Sequence, residues 1–209
     1  MRFEDHLLNK YEGRKFLVLG NGPSIDCYEN EFYHNFDGIT IGINYIRQRF
    51  VPDYFVSVDF MGNSVMQNFG ETAELYSYKT KCMRPMGDGT WKTGEPHLRN
   101  EYVIPCKTSA ARAMTIAYAM GASELHLVGI DLCCSPKGKP YMKERRASYM
   151  PPIDVSTLGY TEKRLDGLPL MFRGLIELMK KGGCKSFDKS PFGKLGIEKD
   201  LTGISNSDI

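Results

Sequence analysis

The sequence predicts an α/β protein: a single Rossmann-like, doubly wound, mostly parallel sheet with helices on both faces. Continuous apolar runs such as 16–19 are typical of strands buried on both faces, which occur in parallel sheets. These runs alternate with segments of helical periodicity, as expected for strand–helix–strand units. The 209 residues, 42% of them apolar, suffice for one sizeable core, so we expect a single domain over 1–209.

The strand predictions rest on apolar, aromatic and β-branched runs that end at turn residues. The first run stops abruptly at Gly20, and the others have similar boundaries. Residues 61–100 are punctuated by glycine and proline, and we expect them to form an irregular insertion or flap. The predicted strands are 16–19, 38–44, 52–60, 101–105, 123–131 and 183–187.

Helical periodicity, together with residues typical of helix ends, predicts two helices. The first spans 108–122, where Thr108 and Ser109 suit a helix start and Gly121 a helix end; its many alanines permit close packing on a sheet. The second covers about 165–179 and is expected to stop at Gly182 and Gly183. Pro169 fits best near its first turn, with a kink in the helix as the alternative. The tail, about 200–209, is polar and expected to be disordered.

Composition argues against a nucleic-acid-binding, membrane-spanning, secreted or disulfide-rich protein. The formal net charge of +2, with basic residues mostly interleaved with acids, does not favour nucleic-acid binding. No apolar run approaches the roughly 20 residues of a membrane span, and the N-terminus lacks the apolar segment of a signal peptide. We therefore expect a cytoplasmic protein. The six cysteines include no C-x-x-C pair and are interpreted as reduced thiols.

The loop after the first strand is the first candidate site, because ligands of open α/β sheets bind beyond the carboxyl ends of the strands. Its glycines predict close approach of backbone amides to a nucleotide or phosphate, and Ser24 is predicted to cap the helix that follows. The loop matches neither G-x-G-x-x-G nor a Walker motif, which argues against NAD and P-loop assignments. An ordinary tight turn is the alternative. The candidate residues are Gly20, Asn21, Gly22, Pro23 and Ser24.

Polar residues follow other predicted strands. Asn44 offers an amide to a base, ribose or phosphate, although a plain turn residue is the alternative. Asp59 is placed to hold Mg²⁺ or a hydroxyl, or else to cap a helix. Thr108 and Ser109 start a helix that would face the same crevice, and capping explains only one of the two hydroxyls. Asp131 follows the strand that ends at Gly129.

The loop 132–150 is basic and carries Tyr141 and Tyr149. Such a loop can close over a charged ligand, with rings stacking and cations neutralising phosphate, although a solvated basic loop is the alternative. His126 alternates within an apolar strand and is predicted to be a core or half-buried residue. No Ser-His-Asp or zinc spacing is visible, so hydrolase and metalloenzyme interpretations are weak.

Taken together, "LGNGPSID", "GIN", "PDYFVSVDF", "TSAARAMTIAYAMGASELHLVGIDL" and "KPYMKERRASY" resemble a known superfamily. It contains the bacterial lipo-oligosaccharide sialyltransferases. It also contains the archaeal-type 6-hydroxymethylpterin pyrophosphokinases and the flagellin-glycosylation factors formerly called domain of unknown function 115. The resemblance covers roughly 15–190.

The sialyltransferase resemblance implies that residues from these motifs surround a CMP-sugar. It places Asp131 beside the nucleotide and the two loop tyrosines at its phosphate. The T-S-G turn of that branch reads T-S-A here, and no histidine follows His126, where the sialyltransferases use a histidine base. The nucleotide contacts implied are Asn21, Gly22, Ser24, Asn44, Thr108 and Ser109, with Tyr141 and Tyr149 at the phosphate.

The pyrophosphokinase resemblance rests on "PDYFVSVD" and implies ATP with Mg²⁺, held by Asp59 and Asp131; that branch has G-G-S-V where this chain has T-S-A-A. The favoured interpretation is a transferase that passes a sugar from a CMP-sugar-type donor to a small-molecule or glycan hydroxyl, with Asp59 or Asp131 as base. The alternatives are a Mg-ATP diphosphotransferase and a non-catalytic nucleotide-binding module. We expect no tightly bound cofactor apart from Mg²⁺ under the ATP interpretation, no nucleic-acid partner, and a homo-oligomer as an open alternative.

Overall fold

The structure is a computed structural model that describes residues 7–43, 46, 49–56, 81–85, 90–93, 95–99, 108–133, 136–137 and 168–205. These ranges form an α/β fold built on one sheet. The strands are β1 (Lys15–Leu19), β2 (Ile39–Ile43), β3 (Tyr54–Val56), β4 (Lys81–Pro85), β5 (Thr90–Thr93), β6 (Glu95–Arg99), β7 (Glu124–Val128) and β8 (Lys185–Asp188).

The spatial order of the strands is β6-β5-β4-β3-β2-β1-β7-β8. From β4 to β8 every neighbouring pair is parallel, whereas β5 and β6 add an antiparallel extension beyond β4. The chain builds outward from β1 to β2 and β3 on one side, and later places β7 and β8 on the other side of β1. The direction of strand addition therefore reverses between β1 and β7.

Several helices pack against the sheet. A 3₁₀ helix (Pro23–Cys27) and α1 (Asn30–His34) connect β1 to β2, whereas α2 (Ser109–Ala119) and α3 (Leu168–Lys181) precede β7 and β8. The alternation of side chains in β1 divides the core accordingly. Phe16 and Val18 join the cluster that includes α2 and α3, while Leu17 and Leu19 join the cluster beneath the 3₁₀ helix and α1.

Most sequence-predicted elements that fall in the described ranges are confirmed. The first, second, third, fifth and sixth predicted strands overlap β1, β2, β3, β7 and β8, and the two predicted helices overlap α2 and α3. Thr108 caps α2 by accepting a hydrogen bond from the Ala111 N–H, and Pro169 lies in the first turn of α3. Cys27, Cys133 and Cys184 are free thiols, as interpreted. The predicted strand at 101–105 lies outside the described residues.

Two regions differ from the sequence expectation. Residues 81–99 contain β4, β5 and β6 instead of being irregular throughout, because backbone pairing with β3 extends the sheet where no clear apolar alternation signals it. The tail is ordered as far as residue 205, the last one described. Tyr28 pairs with Ile204, and the Ser205 N–H donates to the Cys27 carbonyl. Polar composition alone predicted disorder there, and backbone pairing overrides it.

Candidate functional site

The carboxyl ends of β1 and β7 lie side by side at the point where strand addition reverses. Two loops leave the sheet here, 20–24 after β1 and 129–131 after β7, and backbone hydrogen bonds join them. The Gly20 N–H donates to the Val128 carbonyl over 2.7 Å, and the Gly22 N–H donates to the Gly129 carbonyl over 2.8 Å. In open α/β sheets this reversal point is where ligands bind.

The glycines of the first loop allow this approach between the two loops. A Cβ on Gly20 would lie 2.0 Å from the Gly129 carbonyl oxygen, and a Cβ on Gly22 would lie 2.3 Å from Asp131 Oδ2. The expectation that these glycines open backbone amides to a ligand is therefore corrected. The Gly20 amide already donates to Val128 at the end of β7, and the Gly22 amide to Gly129 in the following loop; the missing side chains make room for that loop.

Ser24 does not cap a helix as predicted. It lies inside the 3₁₀ helix, whose N-cap is Gly22 without a side-chain hydrogen bond. The Ser24 hydroxyl instead accepts a hydrogen bond from the Gly129 N–H over 2.8 Å, and the Ser24 N–H donates to Asp131 Oδ2 over 2.9 Å. Because Ser24 is fully buried, it holds the two loops together from within.

Asp131 is the titratable centre of this edge. Its side chain is only 2% exposed, and burial raises its pKa to about 6, although the hydrogen bonds from Ser24 lower it. One oxygen, Oδ2, accepts the Ser24 N–H, while Oδ1 is buried without a hydrogen-bond partner among the described residues. A buried acceptor without a partner is costly, so Asp131 Oδ1 is an unusual feature of this edge.

Ser190, which sequence reasoning missed, lies beside Asp131. It sits in the loop after β8, whose Lys194 N–H donates to the Asp131 carbonyl. The Ser190 hydroxyl is close enough to lower the pKa of Asp131. However, within the described ranges neither Ser190 Oγ nor Asp131 Oδ1 makes a hydrogen bond of normal geometry. No motif marks Ser190, because its position depends on the tertiary packing of β8 against β7.

An ion pair fixes the loop that carries Ser190. Lys199 Nζ lies 2.7 Å from Asp188 Oδ2, and the same ammonium donates to the carbonyls of Ser190 and Gly193. The Ser190 N–H in turn donates to Asp188 Oδ1 over 2.8 Å. Asp188 is fully buried, and burial raises its pKa while Lys199 lowers it. The C-terminal segment thereby holds one wall of the site.

The start of α2 reaches the same edge of the sheet. Because α2 ends where β7 begins, its first residues lie beyond the carboxyl ends of the parallel strands. Thr108 provides the cap, and Ser109 is 6% exposed just behind it. Asn21, also 6% exposed, occupies the β1 loop. Of the sequence-predicted residues, Gly20, Asn21, Gly22, Pro23, Ser24 and Asp131 cluster at the β1–β7 edge, with Thr108 and Ser109 at that same end of the sheet.

The other sequence-predicted residues are not placed by the structure. Asn44, Asp59, Tyr141 and Tyr149 lie outside the described residues. Of the two predicted magnesium ligands, only Asp131 can therefore be tested for fit. Its unpartnered Oδ1 is a hard oxygen, and Mg²⁺ is often held by one or two carboxylates together with phosphates and water. Within the described ranges, no group of three or more potential metal ligands occurs.

Comparison with known proteins assigns no family. No family model, no curated protein and no solved structure matches this chain significantly. The interpretation of the site therefore depends on its geometry and on the sequence resemblance. Within the described ranges, no helix combines the length and apolar character needed to cross a bilayer.

His126 is a core residue, as the sequence predicted. The residue is 7% exposed, and its ring stacks on Phe187, with ring centroids 5.1 Å apart. Burial lowers its pKa, although Glu124 and Asp200 lie nearby and favour the protonated form. Burial alone would raise the pKa of Asp200, but hydrogen bonds from Lys189 and Thr202 lower it to about 2. We assign this cluster to the anchoring of the C-terminal segment.

A separate cavity of about 300 Å³ opens at the opposite, amino-terminal edge of the sheet. It lies between the first described turn, the end of α2 and the end of α3. None of the candidate residues lines it. The lining residues are Leu8, Asn9, Glu12, Tyr118, Ala119, Gly121, Ala122 and Gly182.

Proposed function

We propose that this chain is a nucleotide-dependent transferase whose site is the carboxyl edge of the sheet at Asp131. The observation that carries the proposal is the buried Asp131 carboxylate, with one oxygen unpartnered among the described residues, at the reversal point between β1 and β7. A carboxylate oxygen accepts hydrogen bonds, so it favours the hydroxyl groups of a ribose or sugar, or the amino group of a base.

We favour a glycosyltransferase with a CMP-sugar-type donor and a hydroxyl acceptor, in line with the sequence resemblance. In the transfer step, the acceptor oxygen forms a bond to the anomeric carbon while the bond from that carbon to the nucleotide phosphate oxygen breaks. The acceptor proton passes to a carboxylate, and the nucleotide leaves with the electron pair. Asp131 suits the role of base, because a pKa of about 6 makes it more basic than an ordinary aspartate yet largely ionised at pH 7.

The alternative is a Mg-ATP-dependent diphosphotransferase, for which Asp131 Oδ1 would be a magnesium ligand. Bound magnesium would neutralise phosphate charge, and Asp131 would orient it. Asp59 would supply the second carboxylate in this interpretation. A third candidate is a module that binds nucleotide without turnover, and only an activity assay separates it from the two enzymes.

We further propose that the fold is of the doubly wound, Rossmann-like class. The placement of β2 and β7 on opposite sides of β1 supports this, as do helices on both faces of the sheet. The cytoplasmic location and the identities of donor and acceptor stay predictions.

The test is the thermal stability of the full chain with CMP, CDP, UDP, GDP and ATP, each with and without Mg²⁺. A ligand at about a hundred times its Kd should add about 2.7 kcal/mol of stability, which is a shift of several degrees. Stabilisation by CMP without metal favours the CMP-type donor, and stabilisation only by ATP with Mg²⁺ favours the diphosphotransferase alternative; turnover of the bound nucleotide then separates either enzyme from the binding module. If none of these nucleotides shifts the transition, the proposed site does not bind nucleotide.

A further inference from the structure

The cavity of about 300 Å³ at the amino-terminal edge lies where three segments of the chain meet. The turns at 7–13 border it on one side, and the ends of α2 and α3 border it on the others. Its volume is at the lower end of the range for small-molecule sites, about 300 to 1,000 Å³. Such sites combine an apolar lining with a few polar groups. Among the described lining residues, the aliphatic ones are Leu8, Ala119 and Ala122, and the polar ones are Asn9, Glu12 and Tyr118.

Backbone contacts set the shape of this cavity. A Cβ on Gly121 would lie 2.7 Å from Glu12 Cα, so the end of α2 contacts the backbone of Glu12 directly. A Cβ on Gly182 would lie 1.8 Å from the Tyr118 hydroxyl oxygen, so this hydroxyl fills the space of the missing side chain. Three backbone hydrogen bonds also join the turns at 7–13 to carbonyls at the end of α2. The position of Glu12 relative to α2 is therefore fixed by the main chain.

Three polar side chains at the cavity have no partner among the described residues. The Glu12 carboxylate forms neither an ion pair nor a hydrogen bond there, and the Tyr118 hydroxyl and the Asn9 amide form no side-chain hydrogen bond. Each of the three groups offers an oxygen that accepts hydrogen bonds. All three belong to one concave surface, so a single small ligand can contact them together.

The charge at the cavity favours a cation. Glu12 is the only charged side chain among the described lining residues. Both α2 and α3 end at the cavity, and the carboxyl end of a helix carries a partial negative charge. Lys180 and Lys181, in the last turn of α3, offset part of that charge, but neither of them is among the described lining residues.

We propose that this cavity is a ligand site for a small organic cation, namely a primary amine attached to an apolar body. A primary ammonium has three donors and no acceptor, which matches the oxygens of Glu12, Tyr118 and Asn9. A carboxylate would instead face Glu12 and the negative ends of two helices. The apolar body packs against the aliphatic part of the lining. The site is separate from Asp131, which lies at the opposite edge of the sheet.

The first test is an NMR titration of the ¹⁵N-labelled full chain with two ligands of the same skeleton, phenethylamine and the uncharged 2-phenylethanol. We expect phenethylamine to bind with a Kd of about 1 mM or tighter and to shift the amide signals of Glu12, Gly121 and Gly182. The uncharged 2-phenylethanol should bind about threefold to fivefold more weakly, because it lacks the attraction to the Glu12 carboxylate.

A pair of charge-removing variants tests the role of Glu12. Glu12→Gln should weaken phenethylamine about threefold to fivefold, as expected for an exposed ion pair, without lowering Tm. The matched control is Glu177→Gln, which removes the same charge from an exposed position of α3 that is not among the described lining residues; it should bind like wild type. Tyr118→Phe removes only the hydroxyl, and should also weaken phenethylamine.

Three results would overturn the proposal. The first is that the three amide signals do not shift with phenethylamine up to about 10 mM. The second is that phenethylamine and 2-phenylethanol bind equally well, and the third is that Glu12→Gln binds phenethylamine as wild type does. Nucleotide plays no part in these measurements, so their outcome is independent of the proposed function.

Discussion

Gly13 and Gly22, at opposite edges of the sheet, are glycines for different physical reasons. At the amino-terminal edge, Gly13 has a φ of +75° and open space around it, so its role is conformational. At the carboxyl edge, Gly22 has an ordinary backbone conformation, but a Cβ there would lie 2.3 Å from Asp131 Oδ2. Gly13 is thus a glycine because the chain turns there, whereas Gly22 is a glycine because two loops come into contact there.

The polar groups differ in the same way between the edges. At the amino-terminal edge, the exposed Ser123 hydroxyl donates to the Gly13 carbonyl, and Asp53 accepts hydrogen bonds from both the amide and the hydroxyl of Thr40. At the carboxyl edge, Asp131 and Ser190 keep buried atoms without hydrogen-bond partners in the described ranges. Paired polar groups, as at the amino-terminal edge, are favourable for stability. Buried polar atoms without partners, as at the carboxyl edge, cost stability and are typical of functional sites.

A substitution that separates the two loops of the carboxyl edge should cost the most stability. Gly22→Ala should lower the free energy of unfolding by about 3 kcal/mol, because the new Cβ meets a carboxylate and a backbone carbonyl. Gly13→Ala is the control at the other edge, where only the left-handed backbone is penalised, at about 1 kcal/mol. Urea unfolding measures both. Equal losses at the two positions would contradict the steric role of Gly22.

Burial of the Asp131 charge predicts a pH dependence. Because its folded pKa is raised to about 6, Asp131 contributes stability that is fully present below about pH 4 and is lost as the pH rises through 6. The stability of wild type minus that of Asp131→Asn should therefore fall by roughly 2 to 3 kcal/mol over this window. Unfolding curves at several pH values measure it, and a difference that stays flat would show that the carboxyl titrates normally.

Loss of the ion pair between Lys199 and Asp188, which fixes the loop of Ser190, should have the next largest effect on stability. Lys199→Met should cost about 2 kcal/mol, because it leaves the buried Asp188 without its counter-charge; partial exposure of Lys199, at 36%, reduces the loss. Adding Asp188→Asn should recover part of the stability. An additive loss in the double variant, measured by urea unfolding, would argue against coupling between the two side chains.

Removal of one serine hydroxyl at each edge should change the stability least. Ser24→Ala should destabilise by about 1 to 2 kcal/mol, because the buried Gly129 N–H loses its acceptor. Ser123→Ala removes a hydroxyl at the other edge that donates to exposed carbonyls, and should cost less than about 0.5 kcal/mol. Thermal unfolding of both variants tests the contrast. A larger loss of stability in Ser123→Ala than in Ser24→Ala would contradict this prediction.

Local patterns predicted the strands and helices that apolar periodicity marks, such as β1, α2 and α3. They did not predict β4 to β6, whose pairing depends on the neighbouring strand more than on composition, or the order of the tail, which is set by pairing with Tyr28. At the site, strand ends marked Gly22, Ser24 and Asp131. Their actual roles depend on the contact between two loops that are more than 100 residues apart in sequence. Local sequence patterns do not predict such a tertiary contact.

A ligand site at Asp131 is tested by measuring the nucleotide-induced shift in Tm for wild type, Asp131→Asn and Asp53→Asn side by side. Both variants replace an aspartate that accepts a backbone N–H with its neutral isostere, one at each edge of the sheet. With CMP, or with ATP and Mg²⁺, wild type and Asp53→Asn should shift by the same several degrees, and Asp131→Asn should lose most of the shift. A full shift in Asp131→Asn, or none in wild type, would contradict a ligand site at the carboxyl edge.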